Sequence, residues 1–340
     1  MGSGNTGTMA LDASTMAESR ETPRVTPCPL CRGYDHELVS RRGRDGKPLD
    51  SVLCRGCGHV FNVPIPTEAD LRTYYHQAYR SAYKGIIRPR PKHVLRAGIR
   101  ALERVSQLRS LAAPQARLLD IGAGGGEFVY MAAKAGFAAR GIEPHQGYAE
   151  HARAMLDVDV IHGAMQDVQI ADESIEVATM HHVLEHLPDP VDALRRLWRW
   201  LTPGGLLVVE VPDIASWYHA PRRRFHAAHV HSFNASGLED AARHAGFAII
   251  ASTLTQHTGH LNLMARRGIA PALPVWRNAA ATVAEALRAH SSVAHALSGR
   301  PLRRMWANLK RPVAETARLA MMGARGPKAI LDTLWSETTP

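Results

Sequence analysis

The sequence predicts an α/β fold: a mostly parallel sheet flanked by helices and closed by an antiparallel final strand. A small cysteine-bearing module stands before it and a helical extension follows. Three observations predict this. The stretch "LLDIGAGGGEF" (118–128) places a glycine-rich turn between a short apolar run and a helical pattern of Phe128, Met131, Ala132 and Ala135. Apolar runs and helical patterns then alternate as far as about residue 268. All four cysteines lie upstream, in two C-x-x-C pairs.

Taken in order, residues 1–26 are rich in Gly, Ser, Thr and Ala and read as a disordered leader. Residues 27–65 hold Cys28, Cys31, Cys54 and Cys57, the pairs separated by 22 residues. That spacing is a zinc ribbon's, in which four thiolates close a tetrahedral site and leave no open position, so the expected metal role is structural. Residues 66–111 read as a helical connector whose tyrosines at 74, 75, 79 and 83 form a packing stripe.

The domain proper is expected over 112–268. Its first turn is not a dinucleotide fingerprint, because Glu127 stands where the last glycine of G-x-G-x-x-G would fall. It is not a P-loop either, since no G-K-[ST] follows. What remains is Asp120-x-Gly122-x-Gly124-x-Gly126, an acid beside a bare-backbone turn. This suits a cationic ligand without phosphate, and S-adenosylmethionine fits. The next strand, in "AARGIEP", ends at Glu143, where a nucleoside's ribose diol is gripped in sheets of this type.

"IEVATM" is a strand, and "DPVDALRRLWRW" a helix capped by Asp189 with Pro190 at its first position. "LLVVEVPD" is a strand and "NASGLEDAARHAGF" a helix. "FAIIASTL" and "HLNLMARR" make a final pair joined without a helix, which predicts an antiparallel edge. Residues 269–340 form a basic extension with amphipathic helices broken at Gly299-Arg300-Pro301, expected to pack on the connector helix or to form a homodimer.

The net charge of +10 raises the question of nucleic acid, but no basic stretch interleaves aromatics for base stacking. A small anionic substrate is drawn to the same field, and Arg222–Arg224 offer bidentate partners for it. No apolar run is long enough to span a bilayer, and a cytoplasmic location is expected.

"LLDIGAGGGEF", "GIEP", "HHVLEHLPDP", "LTPGGLLVVEVPD" and "HVHSFNASGLEDAARHAGF" together resemble the Rossmann-like class I S-adenosylmethionine-dependent methyltransferases. The similarity is greatest to the branch containing ubiquinone-type O-methyltransferases and sugar or natural-product methyltransferases. The ribbon followed by "GHVFNVPIPTEADLRTYY" resembles the N-terminal module of zinc-ribbon members. The resemblance implies that Asp120, Gly122, Gly124 and Gly126 surround the methionine moiety, that Glu143 binds the ribose, and that Ala164 and Met165 flank the adenine. It also implies that His181 and His182 face the methyl group.

Some relatives bind a divalent metal through acid-x-x-Glu-His; here His182 replaces the first acid, and Glu185 and His186 are expected to fix the loop instead. Methyl transfer to a hydroxyl or carbon acid also needs a proton acceptor, and histidine titrates near neutrality. The candidates are His182, His229 and His231, the last two in a loop before the helix over the substrate pocket. The expected function is methyl transfer to a small molecule. An RNA methyltransferase with a zinc-binding substrate module is the alternative, and a non-catalytic scaffold a third reading.

Overall fold

The computed structural model describes residues 26–70, 89–255, 258–268, 275–323 and 325–338. The leader before Thr26 and the connector tyrosines Tyr74, Tyr75, Tyr79 and Tyr83 lie outside the described residues. The cysteine module is built on β1 (His36–Arg42), β2 (Pro48–Cys54) and β3 (Val60–Val63), an antiparallel meander. Helix α1 (Pro91–Arg109) follows, opened by a proline in its first turn and turning Val94, Leu95, Ala101, Val105 and Leu108 inward.

The main unit runs β4 (Arg117–Ile121), α2 (Glu127–Lys134), β5 (Ala138–Glu143), α3 (Gln146–Leu156), β6 (Val160–His162), β7 (Ile175–His181), α4 (Pro190–Trp200) and β8 (Leu201–Pro212). Then come β9 (His231–Ser232), α5 (Ala235–His244), β10 (Phe247–Thr255) and β11 (His260–Arg267). Asp189 caps α4 by accepting from the amides of Val191 and Asp192, and Asn234 caps α5 by accepting from Gly237. The seven-stranded sheet has the order β10-β11-β8-β7-β4-β5-β6.

The final strand is antiparallel, as the sequence predicts, but it is not the edge. β11 is inserted between β8 and β10, antiparallel to both, and β10 forms the edge. The burial pattern explains the placement. β11 brings the buried Leu261, Leu263 and Ala265 against β8, whereas β10 exposes Ile250 and Leu254, which an edge tolerates.

The cysteine module is joined to this unit rather than tethered to it. β9 adds as a fourth strand beside β3, pairing Val60 with Ser232 and Phe61 with His231. Cys28, Leu30, Cys54, Cys57 and Phe61 share one apolar core with Leu194, Leu197, Leu238 and Leu263.

Among the described residues the extension forms four helices: α6 (Ala280–Ala289), α7 (Ser292–Leu297), α8 (Arg300–Met322) and α9 (Pro327–Thr338). The expected break narrows to Gly299, at φ 68°; Arg300 and Pro301 already belong to α8, and Pro312 lies inside it. α9 packs on α1, burying Ile330, Leu331 and Leu334. Gly98 permits the approach, because a Cβ there would lie 2.6 Å from Leu331 Cδ2 and 2.7 Å from Leu334 Cδ1. Truncation of this fully buried leucine, Leu331→Ala, is expected to cost about 3 kcal/mol in chemical denaturation. A loss under about 1 kcal/mol would show that the fold does not depend on α9.

Candidate functional site

The glycine turn sits between β4 and α2. Gly122, Gly124 and Gly126 adopt φ of 76°, 59° and 85°, the left-handed region that side chains resist. Crowding adds to the constraint: a Cβ at Gly122 would stand 2.5 Å from Val183 Cγ2, and one at Gly126 2.7 Å from Ala152 Cβ. Asp120 is buried near the end of β4 and accepts a hydrogen bond from Thr179 Oγ1 at 2.6 Å. Glu143, the last residue of β5, accepts from the Gly124 amide at 2.8 Å and the His145 amide at 3.0 Å. The two acids therefore flank the turn at the carboxyl ends of adjacent parallel strands.

His181 ends β7, its Nδ1 3.4 Å from Asp120 Oδ1, and burial lowers its pKa so that it stays neutral. Ala164 is half-buried and Met165 buried just beyond β6, the neighbour of β5. Between β4 and β7 the chain order of the sheet reverses, and ligands bind at such a switch point.

His182, immediately after β7, carries φ 59° despite its Cβ. An outlier of this kind is held by its surroundings and concentrates at functional sites. Its Nε2 lies 3.0 Å from Glu210 Oε1 and its Nδ1 3.4 Å from Glu185 Oε1. Burial favours the neutral ring, but the two carboxylates outweigh it and raise the pKa to about 9. Glu210, on β8, also accepts from Arg104 of α1 at 3.0 Å and from His260 of β11 at 2.8 Å. Burial alone would raise its pKa; the partners instead hold it well below the usual carboxylate range. The sequence-level candidates did not include Arg104, Glu210 or His260. The signal for Glu210 was its charge within the apolar strand "LLVVEVP".

His229 is half-buried, its ring edge-on to His186 at 4.8 Å and to His226 at 5.2 Å. Burial, then the neighbouring His186, lowers its pKa to about 3, which leaves a neutral imidazole. His231 has a different setting. It lies in β9, shares a hydrogen bond of 3.0 Å with His59 and another of 2.8 Å with the Leu187 carbonyl, and so has both ring nitrogens engaged. His186 ties its loop to the segment carrying His229 through a 2.6 Å hydrogen bond to the Ala228 carbonyl.

A cavity of about 460 Å³ opens beside these groups, with His229, His231 and His260 on its wall. Four arginines from three parts of the chain line it. Arg44 comes from the β1–β2 turn, Arg223 and Arg224 from the segment after β8, and Arg304 from α8. Arg224 hydrogen-bonds His290 Nδ1 at 2.8 Å; burial lowers its pKa to about 10, so it remains a cation at neutral pH. Arg304 donates to the Tyr218 carbonyl at 3.1 Å and contacts His219 Nδ1 at 3.0 Å. Arg222 is exposed and outside the lining, so only two of the three consecutive arginines face the cavity. The arginines at 44 and 304 were not legible as partners of these two.

The four cysteine Sγ atoms lie within 4.8 Å of one another, with Cys28–Cys57 at 3.7 Å and Cys31–Cys54 at 3.4 Å. A tetrahedron of sulfurs about 2.3 Å from a central zinc has edges of about 3.8 Å, so the donor set fits that ion. Backbone hydrogen bonds shape both knuckles: the Cys28 amide donates to Gly33 O and the Gly58 amide to Cys54 O, each at 2.8 Å.

Residues 92–252 match a family model described as a methyltransferase domain. A probable S-adenosylmethionine-dependent methyltransferase from Mycolicibacterium smegmatis is 27% identical over 44% of this chain and 60% of its own length. A ubiquinone biosynthesis O-methyltransferase from Ruegeria pomeroyi is 34% identical over 27% of this chain and 39% of its own. Among solved structures, the magnesium protoporphyrin IX methyltransferase of Synechocystis with bound SAH is similar at 13% identity and TM-score 0.48, covering 59% of this chain and all of that one. The α/β domain of this chain is thus similar in sequence to S-adenosylmethionine-dependent methyltransferase domains. The chain spans three fifths of the first relative's length and about two fifths of the second's.

Proposed function

We propose that the protein transfers the methyl group of S-adenosylmethionine to a small anionic acceptor, such as a phosphorylated sugar, glycan precursor or secondary metabolite. The observation that carries this reading is the pairing of two acids, Asp120 and Glu143, around a side-chain-free turn, linked through His182, Glu210 and His260 to a cavity whose wall carries four arginines against Asp45 and Asp213. Asp120 and the glycines would seat the methionine moiety, Glu143 the ribose, and Ala164 and Met165 the adenine, with His181 closing the seat beside Asp120. Transfer breaks the methyl–sulfur bond, leaving the electron pair on sulfur, while a lone pair or carbanion of the acceptor forms the new bond.

The acceptor's proton passes to His229, which lines the cavity as a neutral ring; His231 lines it too and is also neutral, but both of its nitrogens are engaged by His59 and the Leu187 carbonyl. His182 serves as a fixed positive charge between Glu185 and Glu210, and His231 as a structural link to the ribbon. The four cysteines would hold zinc in a closed, structural site. Screening phosphorylated and carboxylated acceptors with labelled cofactor tests the reading; transfer to neutral acceptors alone would overturn the anionic assignment.

Two further results are expected. His229→Asn lowers kcat about a hundredfold or more with little change in KM, the usual size for a lost general base. Arg44→Ala raises KM about tenfold with kcat nearly unchanged, because a charged hydrogen bond is worth about 1.5–3 kcal/mol. Steady-state kinetics reads both, and a KM that stays put in Arg44→Ala removes that residue from the acceptor site.

A second reading rests on Glu185. Its carboxylate is buried and neither oxygen has a hydrogen bond of good geometry, while Glu185, His186 and His229 bring ligand atoms within 4.8 Å of one another. Those residues would hold a divalent cation, which would supply Lewis-acid polarisation of an acceptor hydroxyl. Chelator-treated protein whose activity is unchanged, and which binds no Mg²⁺ or Zn²⁺ beyond the ribbon's one ion, would exclude this second reading.

A further inference from the structure

A helix at a protein surface normally turns its apolar stripe inward. α8 does the reverse. Leu302, Met305, Trp306, Leu309 and Val313 recur at helical spacing and therefore share one face, and all five are exposed, from 48% for Met305 to 71% for Val313. The attachments lie on other faces and are largely polar. Arg304 reaches Tyr218 and His219 at the cavity, and Arg96 of α1 pairs with Glu315 through two nitrogens. Among the described residues, apolar contact comes from the last turns, through the half-buried Leu319 and Met322. The exposed face is bulky and carries a tryptophan.

The charge around the stripe selects among occupants. α8 carries six basic residues against one acid, Glu315, and that acid is already paired with Arg96. A second copy would bring the same positive charge to the same place. An anionic lipid surface supplies the complement: headgroup charge for Arg303 and Lys310, which flank the stripe, and an acyl boundary for the leucines and Trp306. No helix among the described residues is long and apolar enough to cross a membrane, so contact would be in the interfacial plane. We infer that α8 docks this protein on anionic membrane surfaces through its exposed stripe, while Arg304 on the opposite face reaches the acceptor cavity, which therefore lies about one helix diameter, ~10 Å, behind the lipid boundary. This inference stands on the helix itself, independently of which acceptor the site methylates.

The test is flotation of the full-length protein with vesicles of phosphatidylcholine containing about a third phosphatidylglycerol, against phosphatidylcholine alone. The expected result is co-flotation with the anionic vesicles only, weakened in high salt. Leu309→Asp and the pair Arg303→Glu with Lys310→Glu should each lower partitioning at least tenfold. All three side chains are exposed, so the variants should fold, and an unchanged thermal melt and cofactor affinity verify it. Absence of flotation at low salt overturns the inference, as does flotation unaffected by either variant. A wild-type dimer in light scattering that becomes a monomer in Leu309→Asp, without vesicle binding by either, would assign the face to a second copy instead.

Discussion

Asp120→Asn is expected to weaken S-adenosylmethionine binding at least a hundredfold, about 2.7 kcal/mol, while leaving the fold intact. The substitution keeps the shape of the side chain and one acceptor for the Thr179 hydroxyl, which bonds the carboxylate at 2.6 Å. It removes the negative charge from a buried position, where that charge is little screened and would attract the cationic methionine end of the cofactor. The paired variant Gly126→Val acts by volume instead. It forces a side chain into φ 85° and against Ala152, and it should abolish binding with some loss of stability. Calorimetry on both variants, with melting curves, separates charge from shape. An Asp120→Asn affinity within threefold of wild type would contradict the proposed seat.

Cys57→Ser should have the other large effect. With three thiolates the site loses its tetrahedral closure, zinc content should fall from about one per chain toward zero, and the knuckles should unfold because metal binding there is folding energy. The damage should not stop at the module. β3 is hydrogen-bonded to β9, the β1–β2 turn is held to the Phe225 carbonyl by the Arg44 amide, and Phe61 lies in the same core as Leu238. A fall in melting temperature of about 10 °C or more is expected, together with loss of turnover as Arg44 leaves the cavity. Metal-free wild-type protein with an undiminished melt would contradict the zinc assignment.

Much of the α/β domain was legible because its signals are local. The Asp189 cap, the Gly122–Gly126 turn and the acid ending β5 each depend on a few consecutive residues, and each appears where its pattern places it. What was not legible depends on partners far apart in sequence. The insertion of β11 beside β8 follows from which of two hairpin strands buries its apolar face more fully, a comparison that single-strand patterns do not make.

The pairing of His231 with His59 spans 172 residues, and nothing in "HAAHVHSFN" distinguishes that ring, with both nitrogens engaged, from His229 two positions earlier. The convergence of Arg44, Arg224 and Arg304 likewise exists only after the ribbon, the segment after β8 and α8 have docked. The exposed stripe of α8 was visible as amphipathic spacing, but the direction it faces is set by Arg304, Glu315 and Leu319 holding the opposite side.

The cofactor seat is tested most directly by a calorimetric titration of the purified full-length protein with S-adenosylhomocysteine, the product that lacks the transferred methyl. One site per chain with micromolar affinity is expected, displaced competitively by S-adenosylmethionine and lost in Asp120→Asn. A flat isotherm for wild-type protein that is folded and zinc-loaded would contradict it.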